Sequence, residues 1–459
     1  MAKVKYQIPV KNGEQVELTV ETQGSSGDGI CRHQGYTLFV PGGLPGDRVS
    51  AVVKKTTPRF GVVEVRQRLE ASKDRIEAPC PVFPACGGCK FQDYQYQKQL
   101  DFKVQMVADS LRHIGKIDLP VEIQAMPAER IYNYRNKGSF AVQLSKPGAL
   151  NIGFYKQGTH DVVDSDTCGI LHSPINAVKE WVRHLLVKHR VPIYNETRHK
   201  GFFRGLVVRH SESTGETLLG LISTKGSFPK PFLGELLDFE TLSKFGIQGI
   251  VQNLNEDDTN IILGEKNRIL WGKNQMQDAL GELRFRLSIG SFFQVHPQQA
   301  VQLNDLVKSW SLAAGGRVID AYSGVGAIAL WLAKAGQDVT GIEEYEPAFQ
   351  DAKNNARLNS VENAKFLHGT VEQHLPELAK HGDVQTLIFD PPRKGCSEEV
   401  IKQALKMAPK QIIYVSCNPS TLARDIQRLF GYRIRDCRVI DMFPQTQHVE
   451  TAVLLTPVD

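Results

Sequence analysis

From Arg317 to the C-terminus, apolar runs of strand length alternate with amphipathic stretches of helix length, and this regularity leaves few folds open. The pattern predicts strands at 317–322, 338–343, 365–369, 385–390, 411–416, 432–440 and 451–456. Helices are expected near 326–335, 346–358, 371–380, 397–408 and 420–429. Five strand–helix units followed by two strands describe a doubly wound, Rossmann-like α/β sheet with an antiparallel edge. Ligands of such sheets sit at the carboxyl ends of the strands, so chemistry is sought there.

The first of these ends is Asp320-Ala321-Tyr322-Ser323-Gly324-Val325-Gly326, a strand running into a glycine-rich turn and a helix. Glycines there let the backbone approach a nucleotide-like ligand. The next strand ends in Glu343, whose carboxylate can accept hydrogen bonds from both hydroxyls of a ribose. These two features fit a dinucleotide cofactor such as NAD as well as a nucleoside methyl donor. The fourth strand favours the second, because it ends in Asp390-Pro391-Pro392-Arg393. A rigid Asp-Pro-Pro turn has no use in dinucleotide enzymes and is similar to that of class I S-adenosylmethionine (SAM) methyltransferases. Amine methyltransferases carry an aromatic residue after the two prolines, and Arg393 in that place argues against amine methylation.

The fifth strand, Gln411–Ser416, ends at Cys417-Asn418-Pro419, and Glu450 follows near the C-terminus. A cysteine on a buried strand is more often inert core than a catalyst. Its place at the strand's carboxyl end, with a carboxylate in reach, points to covalent catalysis with a separate base.

At 459 residues, two or three domains are expected: 1–70, 71–287 and 288–459. The first is rich in short alternating strands with glycine turns, as in a small barrel of the OB type. Between Arg48 and Arg68 stand six basic residues (Arg48, Lys54, Lys55, Arg59, Arg66, Arg68) and one acid, Glu64. They form either a solvated strand face or a track for a phosphate backbone. The elements Gly27-Asp28-Gly29-Ile30, Val40-Pro41-Gly42 and Leu44-Pro45-Gly46-Asp47 resemble the TRAM domain, an RNA-binding barrel. The net charge of +5 is compatible with nucleic acid without requiring it.

The middle region, an α+β domain, opens with Cys80, Cys86 and Cys89, followed by a helix from about Tyr94 to His113. Cys168 lies far downstream. Four clustered thiolates suit tetrahedral zinc or an iron–sulfur cluster. Two stretches mix basic and aromatic residues, Arg130 to Lys137 and Arg198 to Arg204, as stacking on bases would need. Partly buried aromatics beside solvated charges account for them equally well. Met1-Ala2-Lys3-Val4-Lys5 lacks an apolar signal core and no run reaches a membrane span, so a cytoplasmic protein is expected.

With Asp-Pro-Pro-Arg, Ser-Cys-Asn-Pro and His448-Val449-Glu450 in this order, the chain resembles the RNA uracil-C5-methyltransferases over nearly its whole length. The resemblance implies that Cys417 is the nucleophile and Glu450 the base. It implies SAM contacts at Gln294, Tyr322, Glu343 and Asp390, and a [4Fe–4S] cluster on Cys80, Cys86, Cys89 and Cys168, with zinc as the alternative. Ala327 departs from the asparagine many relatives carry there and costs one donor contact. The implied product is 5-methyluridine in 23S ribosomal RNA, with no obligate protein partner evident. The same chemistry on tRNA, or a non-catalytic RNA-binding assembly factor, are the alternatives.

Overall fold

The computed structural model describes residues 8–118, 121–145, 148–257 and 262–458; the first seven residues and Asp459, the outer ends of the expected domains, lie outside these. The chain divides into two compact units. One holds the N-terminal residues through Met106 together with Phe443–His448, and the other holds Val107–Met442 and Val449–Asp459.

The first unit is built on a strongly curled six-stranded sheet. Its strands are Gln15–Thr19, Thr22–Gln23, Gly29–His33, Tyr36–Val40, Arg48–Thr56 and Phe60–Glu70. Alternation places Val16, Leu18, Leu38, Val40, Val49, Ala51, Val53 and Val63 in one core. The strand Gly29–His33 was not assigned from sequence; its short Gly-Ile-Cys-Arg-His run buries Cys31 between half-buried Ile30 and exposed Arg32. The basic face is partly neutralised. Lys54 and Arg66 share Glu64 at 2.5 and 3.3 Å, and Arg48 meets Glu70 at 3.0 Å. Within this unit Gln445 anchors the returning segment. Its carbonyl accepts the Lys90 and Phe91 amides at 2.9 and 3.0 Å, and its amide donates to the Gln99 side chain at 3.0 Å.

The second unit carries two large sheets. A seven-stranded sheet orders Val162–Asp164, Leu150–Tyr155, Lys137–Leu144, Phe203–His210, Thr217–Ser223, Ile247–Leu254 and Lys266–Gly272. The helix Ser173–Lys188 covers it with Ile175, Val178, Val182, Leu185 and Leu186, spaced three to four apart. Both basic–aromatic stretches are largely structural. Tyr134 is buried and stacks on His296 at 4.6 Å, and Phe203 is core. Arg204 covers the Tyr194 ring at 4.5 Å and donates to the carbonyls of Asn255 and Asp257.

The eight-stranded sheet runs in the order Ala364–His368, Val339–Glu343, Val318–Asp320, Thr386–Phe389, Gln411–Ser416, Glu450–Pro457, Tyr432–Ile440, Gln124–Met126. The first five strands are parallel. Each matches its expected run within two residues, and helix Glu346–Leu358 matches without shift. The two final strands are antiparallel as expected, with Glu450–Pro457 lying between Gln411–Ser416 and Tyr432–Ile440. Gln124–Met126, from the middle region, pairs in parallel with Tyr432–Ile440 and forms the outer edge. Three residues give no periodicity, so that strand was invisible in sequence. Among the described residues no helix is long and apolar enough to cross a membrane.

Candidate functional site

The strand order reverses at Val318–Asp320, whose neighbours are Val339–Glu343 on one side and Thr386–Phe389 on the other. The chain leaves this strand through a turn that needs glycine. Gly324 and Gly326 have φ of +54° and +87°, and a Cβ on Gly326 would lie 2.9 Å from the Phe366 ring. Glu343 braces the turn. One of its oxygens accepts the Gly324 amide at 2.9 Å and the other the Tyr345 amide at 2.7 Å. Each oxygen keeps further lone-pair capacity for a ligand hydroxyl.

A cavity over this turn is lined by Phe292, Gln294, Asp320, Tyr322, Ala327 and Asp390, among others. Gln294 is held there from below: the Asn136 amide donates to the Val295 carbonyl at 3.0 Å and the Asn136 side chain to the Gln294 carbonyl at 3.3 Å. Phe292 beside it is 68% exposed, an aromatic face left in solvent at the cavity's rim. A larger cavity of about 680 Å³, around Arg317, Asp338 and Lys365, opens at the amino ends of the same strands, away from these groups.

Asp320 was quoted in the glycine turn but not singled out from sequence. It is 1% exposed, and apart from the backbone amides of Tyr322 and Ala329, which favour the ionised form only weakly, neither carboxylate oxygen has a hydrogen-bond partner. Burial, then Asp390 and Glu343, push its carboxyl up to about 7. An ionised carboxylate buried without a partner costs several kcal/mol or more, so a cationic ligand is what this group lacks. Its orphaned oxygens beside a glycine cradle fit a nucleoside that carries positive charge.

Cys417 sits where the buried strand Gln411–Ser416 meets the helix Pro419–Arg428. Asn418 caps that helix by accepting the Ser420 amide at 3.1 Å, and Pro419 takes the first helical place, where its missing amide costs nothing. Ser416 lies opposite Thr451 in the antiparallel ladder, which brings Glu450 to the same sheet edge as Cys417. Asp390 and Arg393 arrive from the neighbouring strand Thr386–Phe389.

The ionisation of Cys417 and Glu450 is shifted by burial and by their neighbours. Burial, then Glu450, raise the Cys417 thiol above the ordinary 9.0, and Arg393 opposes the shift. Burial, then Asp390, hold the Glu450 carboxyl well above the usual carboxylate range, again against Arg393. Burial raises Asp390 too. Arg393 is therefore the local cation that favours both the thiolate and the Glu450 carboxylate. Arg393→Gln is expected to slow methyl transfer about 3- to 10-fold at neutral pH and move the rise of rate with pH to more alkaline values. In the wild type the rate should climb from neutral pH to at least 9.0, because the thiol is raised above it. Initial rates across that range, wild type against variant, provide the check.

The four cysteines fall in both compact units, three in the first and Cys168 in the second. Cys80, Cys86 and Cys89 share one loop, and Cys80 helps burial to raise the Cys86 thiol. Yet among the described residues no three His, Cys, Asp or Glu side chains converge to hold a metal ion. Cys168 packs its sulfur against the core of the seven-stranded sheet.

Known proteins resemble the chain throughout. A family model described as tRNA (Uracil-5-)-methyltransferase matches residues 253–458, and one for the TRAM domain matches residues 9–62. An uncharacterized RNA methyltransferase of Halalkalibacterium halodurans is 39% identical over 98% of this chain and 99% of its own length. One from Clostridium tetani is 37% identical over 99% of this chain and 98% of its own. The crystal structure of Pyrococcus abyssi tRNA (uracil-54, C5)-methyltransferase in complex with S-adenosyl-L-homocysteine matches with a TM-score of 0.78 at 27% identity, covering 96% of this chain and 99% of that one. By this similarity and the motifs at its sheet edge, the chain belongs to the tRNA (uracil-5-)-methyltransferase family of RNA methyltransferases and carries a TRAM domain.

Proposed function

We propose that this protein is a cytoplasmic enzyme that methylates C5 of specific uridines in 23S ribosomal RNA, using SAM. One observation carries the chemistry. Cys417, Glu450, Asp390 and Arg393 influence one another at the same sheet edge as the cavity lined by Gln294, Asp320 and Tyr322.

C5 of uracil is too poor a nucleophile to attack a methyl group unaided. The Cys417 thiolate adds to C6, and the ring electrons move to C5 and O4 as an enolate. C5 then takes the methyl group of SAM, and S-adenosylhomocysteine is left. The Glu450 carboxylate removes the C5 proton while the C6–sulfur bond breaks, which restores the thiolate and the aromatic ring. Asp390 contacts the uracil edge or the donor's amino group. Glu343 takes the ribose hydroxyls, and Gln294 and Tyr322 complete the donor's pocket. A base must leave its stack to meet Cys417, so the target is a loop or single-stranded uridine.

Asp320 supplies the charge that holds the donor. Asp320→Asn keeps the shape and removes the ionisation, and SAM is expected to bind about 10- to 100-fold more weakly, a charge-assisted hydrogen bond's worth. Binding a cation selects the ionised form, so wild-type affinity should also fall as pH drops below about 7, and that dependence should flatten in the variant. Calorimetric titration at several pH values measures both. Equal affinities would remove Asp320 from the donor site.

The substrate is assigned by labelled-SAM transfer to unmodified 23S rRNA and to tRNA, with digestion to nucleosides. Label in 5-methyluridine of 23S rRNA supports the proposal. Label confined to tRNA keeps the chemistry and replaces the substrate, a reading favoured by the fold match to an archaeal tRNA methyltransferase. Transfer to neither RNA would favour an assembly factor. The [4Fe–4S] assignment on Cys80, Cys86, Cys89 and Cys168, with zinc as the alternative, is what the family resemblance implies. Iron, sulfide and zinc analysis of protein purified without oxygen tests it.

A further inference from the structure

The segment joining Asp390 to the helix Glu398–Met407 is fastened along the helix that follows Cys417. The Arg393 carbonyl accepts from the Asn418 side chain at 2.9 Å and the Thr421 hydroxyl at 3.3 Å. The Lys394 carbonyl accepts from Arg424 at 2.9 Å, and the Cys396 carbonyl from the same guanidinium at 3.4 Å. The Cys396 amide donates to Asp425 at 2.8 Å. Gly395, with φ +74°, passes so close that a Cβ there would lie 2.4 Å from the Asp425 carboxylate. At the centre is Asp425, fully buried. One of its oxygens accepts from the Tyr414 hydroxyl at 2.7 Å as well as from the Cys396 amide, and the other accepts from Arg424 at 2.8 Å. Tyr414 belongs to the strand that leads into Cys417. The Tyr414 hydroxyl also reaches the Cys396 sulfur at 3.5 Å, and the Tyr322 side chain of the cofactor cavity meets that same sulfur.

We infer that Asp425 is a positioning residue for methyl transfer. One carboxylate ties the nucleophile's strand at Tyr414 and the nucleophile's helix at Arg424 to the Cys396 amide of the segment that follows Asp390 and Arg393. It touches neither cofactor nor base. Its effect is to fix the separation between the thiol of Cys417 and the groups that flank it, where an ångström of error costs on the order of a hundredfold in rate. Asparagine cannot replace it, because its amide group would turn a donor toward the Tyr414 hydroxyl and Cys396 amide or toward the Arg424 guanidinium.

The inference rests on Cys417 being the nucleophile, so the test separates the two. RNA transcribed with 5-fluorouridine traps the adduct, because the fluorine on C5 cannot leave as a cation and the thioether stays. Formation of the covalent complex with 23S rRNA and tRNA transcripts is timed on denaturing gels with saturating SAM, and SAM affinity is measured by calorimetry. Asp425→Asn is expected to form the complex about 10- to 100-fold more slowly than the wild type, with SAM affinity within about twofold. Equal rates at a temperature where the variant is folded would overturn the inference and leave Asp425 a stabilising residue only. Loss of SAM affinity in proportion to rate would overturn it as well, since the cavity would then be what Asp425 holds. If Asp425→Asn does not fold, Tyr414→Phe removes a single donor and should slow trapping about 3- to 10-fold, with an unchanged rate counting against the inference. A wild type that traps neither RNA overturns the nucleophile assignment and this inference with it.

Discussion

Cys417→Ala is expected to abolish turnover, with a loss of about 10,000-fold or more. The size follows from the ring. Without a sulfur on C6 no electron density reaches C5, and neither tight binding nor orientation replaces a missing bond. Cys417 is only partly buried, so the alanine variant should fold, with stability changed by about 1 kcal/mol or less. SAM binding should stay near the wild-type value, because the cavity is lined by other residues. Labelled-methyl transfer measured beside calorimetric SAM binding gives the contrast. A variant that retains a tenth of the wild-type rate would sink covalent catalysis.

Glu450→Gln should fail later along the same path. Addition to C6 and methyl transfer need no base, so the variant completes both and then stalls with the C5 proton in place. The expected result is a methyl-labelled protein–RNA complex that survives denaturation, with multiple turnover about 100- to 10,000-fold slower. Absence of that complex, together with lost turnover, would show that Glu450 acts before the methyl step. Unfolding is not the cause to expect. The folded-state carboxyl lies well above the ordinary 4.5 because of burial and Asp390. Such an acid favours the folded state most below 4.5, and that contribution is lost as pH rises through the raised value. The neutral amide escapes the loss, so Glu450→Gln should unfold at a higher temperature than the wild type at neutral pH. Thermal melts at acid and neutral pH test the sign.

Much of the methyltransferase sheet was legible because its parallel strands are buried on both faces and read as continuous apolar runs, such as Gln411–Ser416. Cys417, Asp390 and Glu343 were found because each closes such a run. The insertion of Glu450–Pro457 beside Gln411–Ser416 was not legible, since two apolar strands at a chain's end look alike whichever is inside. Asp320 escaped notice for a related reason: a strand-end acid in a glycine turn reveals its importance only when its oxygens are seen to lack side-chain partners. Asp425 was hidden by helical spacing, because a carboxylate nine residues from the strand-ending Ser416 reads as a solvated helix face. For the two basic–aromatic stretches the sequence left both readings open, and burial places Tyr134 and Phe203 in the core.

The ring of acids around the cofactor cavity has a bearing on how the enzyme resets. Asp320 and Asp390 line the cavity, Glu343 braces the glycine turn beside it, and Asp320 and Asp390 are each pushed toward the neutral form by burial. The methyl donor carries a sulfonium charge that its spent form has lost. On the proposed reading, Asp320 meets that charge and loses its ionic partner once the methyl group has gone, so the field of the strand ends favours exchange of spent for fresh donor.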